Sequence, residues 1–234
     1  MNRVWPSWSP SNGVGKVGND QLVKAKELVG KTARQMAEAG LVVGTWGNVS
    51  VRVPDTDWVV ITPSGMSYAT LKPEDMVVVD LTGRIVEGCR QPSIETPLHV
   101  AIYLNRPDVG GVVHTHSVFA TACAVVRQPI PVITEELAQV VGGPVVVAEY
   151  ALPGSGELAH AAVTALDQRG AVLLANHGLV GVGRRVDEAL TVCQVVEKAA
   201  QILLLAQGLG RPCVLAEADV VRLHDYFQHR YGQR

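Results

Sequence analysis

The chain has 234 residues, 20 basic and 22 acidic side chains, a formal net charge of −2 and 47% hydrophobic residues. That is enough apolar material for one sizeable α/β domain. A near-neutral chain without a basic stripe gives no reason to expect nucleic acid, and no apolar run approaches the ~20 residues of a membrane helix.

Residues 1–19 are rich in Pro, Ser, Gly and Trp and read as an irregular arm before a single domain at 20–234. They lack the apolar block of a signal peptide. Gly13-Val14-Gly15-Lys16-Val17-Gly18 matches G-x-G-x-x-G formally, but a dinucleotide loop must follow a strand, and Pro- and Ser-rich sequence precedes this one. A helix is expected next, capped by Asp20, with Leu22, Ala25, Leu28, Val29 and Met36 on one face and Gly40 at its end. Short strands follow at Val49–Val53, Trp58–Thr62, Met76–Leu81 and Arg84–Glu87, the last two joined by Thr82-Gly83, in antiparallel order. Thr96-Pro97 opens a helix to about Asn105, with Pro97 in the first turn, where its missing N–H is harmless.

The run Gly-Val-Val at 111–113 leads into His114-Thr115-His116, and a helix follows from about Ser117 to Val126. A strand at Val145–Glu149 and a helix from Ser155 to Gln168 precede a second apolar run, 171–176, which is closed by His177. Leu179–Val182 reads as another strand. Helices over Val186–Ala206 and Ala216–Gln228 complete the chain. The expected architecture is a mainly antiparallel sheet between helices, in α/β/α layers. Cys89, Cys123, Cys193 and Cys213 are scattered and form no CxxC, which fits a reducing cytoplasm.

Alternate residues of a strand share a face, so His114 and His116 project side by side. Singly, each histidine suits a core or surface. Together with His177 they offer three nitrogens and an open position, the donor set of a catalytic zinc. Glu95, just before a helix, is the carboxylate placed beside them. Three loops of small residues suit an anion: 44–48, 62–65 and Ser93-Ile94. Each alone is an ordinary turn. His99, one helical turn after Glu95, fits either a supporting partner or a satisfied helix histidine. Glu135-Glu136 reads by default as solvated charge.

In order, Gly-Thr-Trp-Gly-Asn-Val-Ser-Val-Arg (44–52), Ile-Thr-Pro-Ser-Gly (61–65), Ser-Ile-Glu (93–95) with His99, Val-Val-His-Thr-His-Ser (112–117) and Asn-His-Gly-Leu (176–179) resemble the class II aldolase/adducin family. The resemblance runs from about residue 20 onward and is greatest to the members that cleave L-fuculose 1-phosphate. It implies one zinc on His114, His116, His177 and Glu95, with Glu95 also the catalytic acid/base. It implies a phosphate cradle of Gly47, Asn48, Ser64, Gly65 and Ser93. It implies a homotetramer with sites between subunits, where Tyr231 reaches a neighbour's site and protonates the aldehyde oxygen. The implied reaction splits a ketose 1-phosphate into dihydroxyacetone phosphate and an aldehyde such as L-lactaldehyde.

Two positions depart from that pattern. Ile94 replaces a second phosphate-binding serine, and a tyrosine near Glu135 has no counterpart. Related L-ribulose-5-phosphate 4-epimerases share the histidines and the Thr96-Pro97 neighbourhood but carry aspartate at position 95. Related dehydratases and decarboxylases also suit the metal site. An adducin-like interaction domain would be expected to have lost it.

Overall fold

A computed structural model describes residues 19–233. The expected arm, apart from Asn19, and its glycine motif lie outside them. Helix α1 (Asn19–Glu38) already includes Asn19, which puts Asp20 in its first turn rather than at its cap. Its buried apolar face is Leu22, Ala25, Val29, Ala33 and Met36; Leu28 is exposed, and the sequence reading left out Ala33 and the buried Thr32.

The remaining elements are β1 (Asn48–Arg52), β2 (Trp58–Ile61), β3 (Val77–Asp80), β4 (Ile85–Glu87), α2 (Thr96–Asn105), β5 (Gly111–Thr115), α3 (Val118–Val125), α4 (Glu135–Val141), β6 (Val147–Ala148), α5 (Gly156–Leu166), β7 (Ala171–Leu174), β8 (Gly178–Gly183), α6 (Val186–Leu209) and α7 (Glu217–Arg230). The strands form one eight-stranded sheet in the order β4-β3-β2-β1-β5-β8-β7-β6. Every neighbouring pair is antiparallel except β6 with β7. The expected strand at 145–149 pairs with β7 only at Val147 and Ala148, while Val145 bridges to Ile130. Single 3-10 turns at Tyr68–Thr70 and Pro73–Asp75 and the whole of α4 were not anticipated.

Side-chain alternation divides the core in two. Val49, Val51, Val60, Val78, Val113, Leu173 and Leu179 face α1, α3, α4 and α6. Val59, Ile61, Val77, Val79, Val112, Val172, Leu174 and Val180 face α2 and α5. The result is the expected three-layer arrangement. Helix α6 is long and apolar enough to cross a membrane by length and composition, which the sequence reading did not anticipate. In the fold it packs on β5, β8 and α3 and buries Ala189, Val192, Val196, Ala199 and Leu203. Burial of this kind contributes roughly 1.5–3 kcal/mol for each large aliphatic side chain.

Parity also positions the polar residues. Asn48 and Ser50 on β1, and His114 on β5, lie on the α2 face. Residues Asn48 and His114 are paired directly across the two strands.

Candidate metal centre and active site

Glu95 is the N-cap residue of α2, with Pro97 in the first turn, but its carboxylate makes no capping bond. Ser93 holds the approach. Its hydroxyl accepts from the Glu95 amide at 3.2 Å, and its carbonyl accepts from the Thr96 amide at 3.0 Å and the Thr96 hydroxyl at 2.6 Å. The carboxylate is thereby aimed at β1 and β5.

His114, fully buried, sends Nδ1 to the Leu179 carbonyl at 3.0 Å. A carbonyl only accepts, so Nδ1 carries the hydrogen and Nε2 keeps a lone pair. His116 stands one residue beyond β5, and its amide donates to the Leu41 carbonyl at 3.1 Å. His177 sits in the β7–β8 turn behind Asn176, whose φ of 56° is left-handed, a conformation that asparagine tolerates. The Asn176 side chain accepts from Arg127 at 2.5 Å. Gly178 then passes so close to β5 that a Cβ there would lie 2.2 Å from the Thr115 carbonyl oxygen.

The three rings converge. Nε2 of His114 lies 3.0 Å from that of His116 and 3.2 Å from that of His177. Glu95 Oε2 is 3.1 Å from His114 Nε2, and Oε1 is 3.5 Å from His177 Nε2. One donor atom from each of the four residues lies within 4.8 Å of all the others. Glu95 Oε1 and His177 Nδ1 are buried without a hydrogen-bond partner. Three imidazoles and a carboxylate at such distances repel one another unless positive charge lies among them, so the group fits a divalent cation. Three nitrogens, one oxygen and no thiolate suit zinc.

The electrostatics agree. Burial alone would raise the Glu95 carboxyl; the His114 and His177 rings and the Asn48 amide outweigh it and hold the group well below the usual carboxylate range. Burial and the neighbouring rings push His116 down to about 3 and His177 down to about 4. For His114, burial is outweighed by Glu95 and the net shift is upward.

A carboxylate from another element fixes the segment beyond His116. Glu197 on α6 accepts from the amides of Phe119 at 2.9 Å and Ala120 at 2.8 Å, at the start of α3. It does what the Ser117 side chain, which makes no cap bond, does not.

Two of the three expected anion loops, 62–65 and Ser93-Ile94, lie side by side. Pro63 bridges Pro92, the Ser64 amide donates to the Gln91 carbonyl at 2.9 Å, and the Ser93 amide donates to the Thr62 carbonyl at 3.1 Å. Gly47 has φ 83°, and a Cβ there would meet Val42 at 2.6 Å and the His114 carbonyl oxygen at 2.7 Å, so the 44–48 loop presses directly on the metal strand. The Tyr68 hydroxyl donates to the Gly47 carbonyl. Gly65 has φ 68°, and Ser64 and Ile94 are exposed. Two cradle side chains are already engaged: Ser93 through its hydroxyl to the Glu95 amide, and Asn48, whose Nδ2 donates to Glu95 at 2.9 Å and whose Oδ1 faces His99 at 2.5 Å.

The structure thus brings Glu95, His114, His116 and His177 together; Asn48 and Ser93 bond Glu95, Gly47 presses on His114, and Ser64 and Gly65 lie on the loop paired with 91–93. Tyr231 does not join them within one chain. It is exposed, packs on Phe227 and lines a surface cavity with Gly183 and Arg184, at the opposite end of β8 from His177. Glu135 and Glu136 open α4 beneath a Thr134 cap, and Glu136 pairs with Lys198 at 2.8 Å. Sequence reasoning missed Ser50, Tyr68, Tyr103, Arg127 and Glu197.

Residues 27–204 match the family described as class II aldolase and adducin N-terminal domain. The 5-deoxy-D-ribulose 1-phosphate aldolase of Bacillus thuringiensis serovar kurstaki is 37% identical over 91% of this chain and 99% of its own length. An L-ribulose-5-phosphate 4-epimerase of Salmonella paratyphi B is 34% identical over 90% of this chain and 96% of its own. A solved L-fuculose 1-phosphate aldolase superposes with a TM-score of 0.85 at 37% identity, covering 88% of this chain and 96% of the other. The chain belongs to the class II aldolase and adducin family and is a class II aldolase.

Proposed function

We propose that this class II aldolase joins and cleaves a ketose 1-phosphate, with dihydroxyacetone phosphate as one product and a short aldehyde, such as L-lactaldehyde, as the other. The observation that carries the reading is the partly buried cluster of His114, His116, His177 and Glu95, next to two loops zipped together at Pro63 and Pro92. His114, His116 and His177, with Glu95, would hold one zinc ion, which supplies Lewis-acid polarisation of a carbonyl oxygen.

The chain's own groups do the rest. Amides and hydroxyls at Gly47, Ser64, Gly65 and Ser93, with Asn48, hold the phosphate. In the joining direction Glu95 takes the proton from the carbon beside the carbonyl, and that carbon attacks the aldehyde. The phenol of Tyr231 from a neighbouring copy gives its proton to the aldehyde oxygen. Cleavage reverses these steps. A carboxylate in this role contributes roughly 10²–10⁴-fold. The distance of Tyr231 from its own cluster supports service to a second subunit, in a homotetramer with sites between chains. The scattered free cysteines support a cytoplasmic setting.

The test is product analysis of the zinc-loaded protein on L-fuculose 1-phosphate, 5-deoxy-D-ribulose 1-phosphate and L-ribulose 5-phosphate. Release of dihydroxyacetone phosphate from a 1-phosphate supports the reading; conversion of the 5-phosphate alone, without cleavage, overturns it in favour of an epimerase. Removing residues 231–234 should slow aldol turnover while leaving exchange of the dihydroxyacetone phosphate proton nearly intact. Equal loss of both would remove Tyr231 from the role.

A further inference from the structure

Two rows of polar side chains meet between α2 and β1. Glu95, His99 and Tyr103 recur every four residues from the N-cap of α2, and Asn48, Ser50 and Arg52 every two residues on β1. Four helical residues advance about 6 Å and two strand residues about 6.7 Å, so the rows keep step. Asn48 bridges Glu95 and His99. Ser50 bridges His99 and Tyr103, at 2.6 and 2.8 Å. The Arg52 guanidinium lies over the Tyr103 ring, 4.9 Å from its centre. Asn48, Ser50, Glu95, His99 and Tyr103 are all buried.

Chemistry fixes the direction of every bond. An ionised Glu95 only accepts, so Asn48 presents Nδ2 to it and turns Oδ1 toward His99. A carbonyl oxygen only accepts, so His99 carries its hydrogen on Nε2 and leaves Nδ1 bare. Nδ1 then accepts from the Ser50 hydroxyl, whose oxygen accepts from the Tyr103 hydroxyl. Four donors in line point at one carboxylate. Burial pushes His99 down to about 3, so the ring stays neutral.

We propose that His99 is a positioning residue of the active site, which with Ser50 and Tyr103 locks the Asn48 amide so that an N–H faces Glu95. This rests on the aldolase reading above. A filler of a polar hole would need no particular direction. The chain needs one, because a reversed Asn48 would set its carbonyl against the carboxylate.

Two measurements test it. In the zinc-loaded protein, ¹⁵N-histidine NMR should show His99 protonated on Nε2 alone; a hydrogen on Nδ1 overturns the proposal whether or not any substrate is found. The second compares His99→Gln, which keeps a donor where Nε2 stood, with His99→Asn, which keeps a polar group only where Nδ1 stood. His99→Asn should lower kcat about 10- to 100-fold with KM little changed, and retain less zinc on dialysis, as loss of a group behind a ligand does. His99→Gln should recover most of both, although the two variants lose similar thermal stability. Equal losses in the pair, in step with melting temperature, overturn the proposal. Should His99→Asn fail to fold, Ser50→Ala decides: a kcat loss with a mixed His99 tautomer supports the lock, and an unchanged tautomer and kcat overturn it. An inactive wild type with the Nε2 tautomer would overturn the aldolase reading alone.

Discussion

Glu95 has two sides, and they are finished to different degrees. Toward β1 its Oε2 meets Asn48, and each following group in that chain has its hydrogen bond. Toward β5 and the β7–β8 turn, lone pairs face one another, and Oε1 and His177 Nδ1 have no partner. The satisfied side makes the carboxylate rigid. The unsatisfied side needs charge from outside the chain. A buried polar network is stable when complete and costly when partly paired, so the ordered side holds the carboxylate in place for the side that would take the cation.

Stripping the cation should give the largest break between them. Chelation should lower turnover by at least about 10³-fold, because Lewis-acid polarisation is worth several kcal/mol and each 1.36 kcal/mol is tenfold. Elemental analysis beside activity checks this, and a metal-free protein with full activity would sink it. Glu95→Gln comes next. It keeps size and shape but ends the basicity, and turnover should fall at least ~10²-fold with the fold intact by circular dichroism. An unimpaired variant returns Glu95 to a helix-terminus role.

The pH dependence of metal loading separates the two sides quantitatively. His116 and His177 are pushed down to about 3 and about 4, and so are already neutral at pH 6, whereas His114 is raised above its ordinary range. A raised group is protonated below its folded pKa, so falling pH should weaken metal binding about tenfold per unit once His114 is protonated. At pH values where His114 is protonated, calorimetry in buffers of different ionisation enthalpy should count about one released proton per ion. Two or three would mean that His116 and His177 also titrate. His99, on the satisfied side, should release none. The smallest effect belongs to the supports. Glu197→Gln keeps one acceptor of two at the start of α3 and should cost about 1 kcal/mol of stability by denaturant titration, with slightly weaker metal retention because the segment after His116 loosens. No change in either would make the Glu197 bonds incidental.

Much of this site was legible before any coordinates. Apolar runs ending in His114-Thr115-His116 and near His177 predict strands, and parity puts His114 and His116 on one face. Thr96-Pro97 marked the start of α2, although its N-cap is Glu95 and not Thr96. Helix α4 was not legible: it is one short helix with two glutamates at its start, and its only signals are the Thr134 cap and Gly142 in the left-handed region at its end. Glu197 and Arg127 carry no local signal, since each acts on a segment distant in sequence. The α2–β1 seam is different. Its spacings of four and two were in the sequence, but nothing there says that the two elements lie against each other.

His114 and His177 are 63 positions apart, and Asn48 and Glu95 are 47 apart. They meet only after β5 has paired with both β1 and β8. An unfolded chain offers no such cluster, so the ion binds the native state alone. At a thousandfold excess over its Kd it adds about 4 kcal/mol to folding. Metal supply then sets how rarely the chain opens to proteases as well as how fast it turns over. A cell short of the ion would hold less of this protein, not merely a less active form of it.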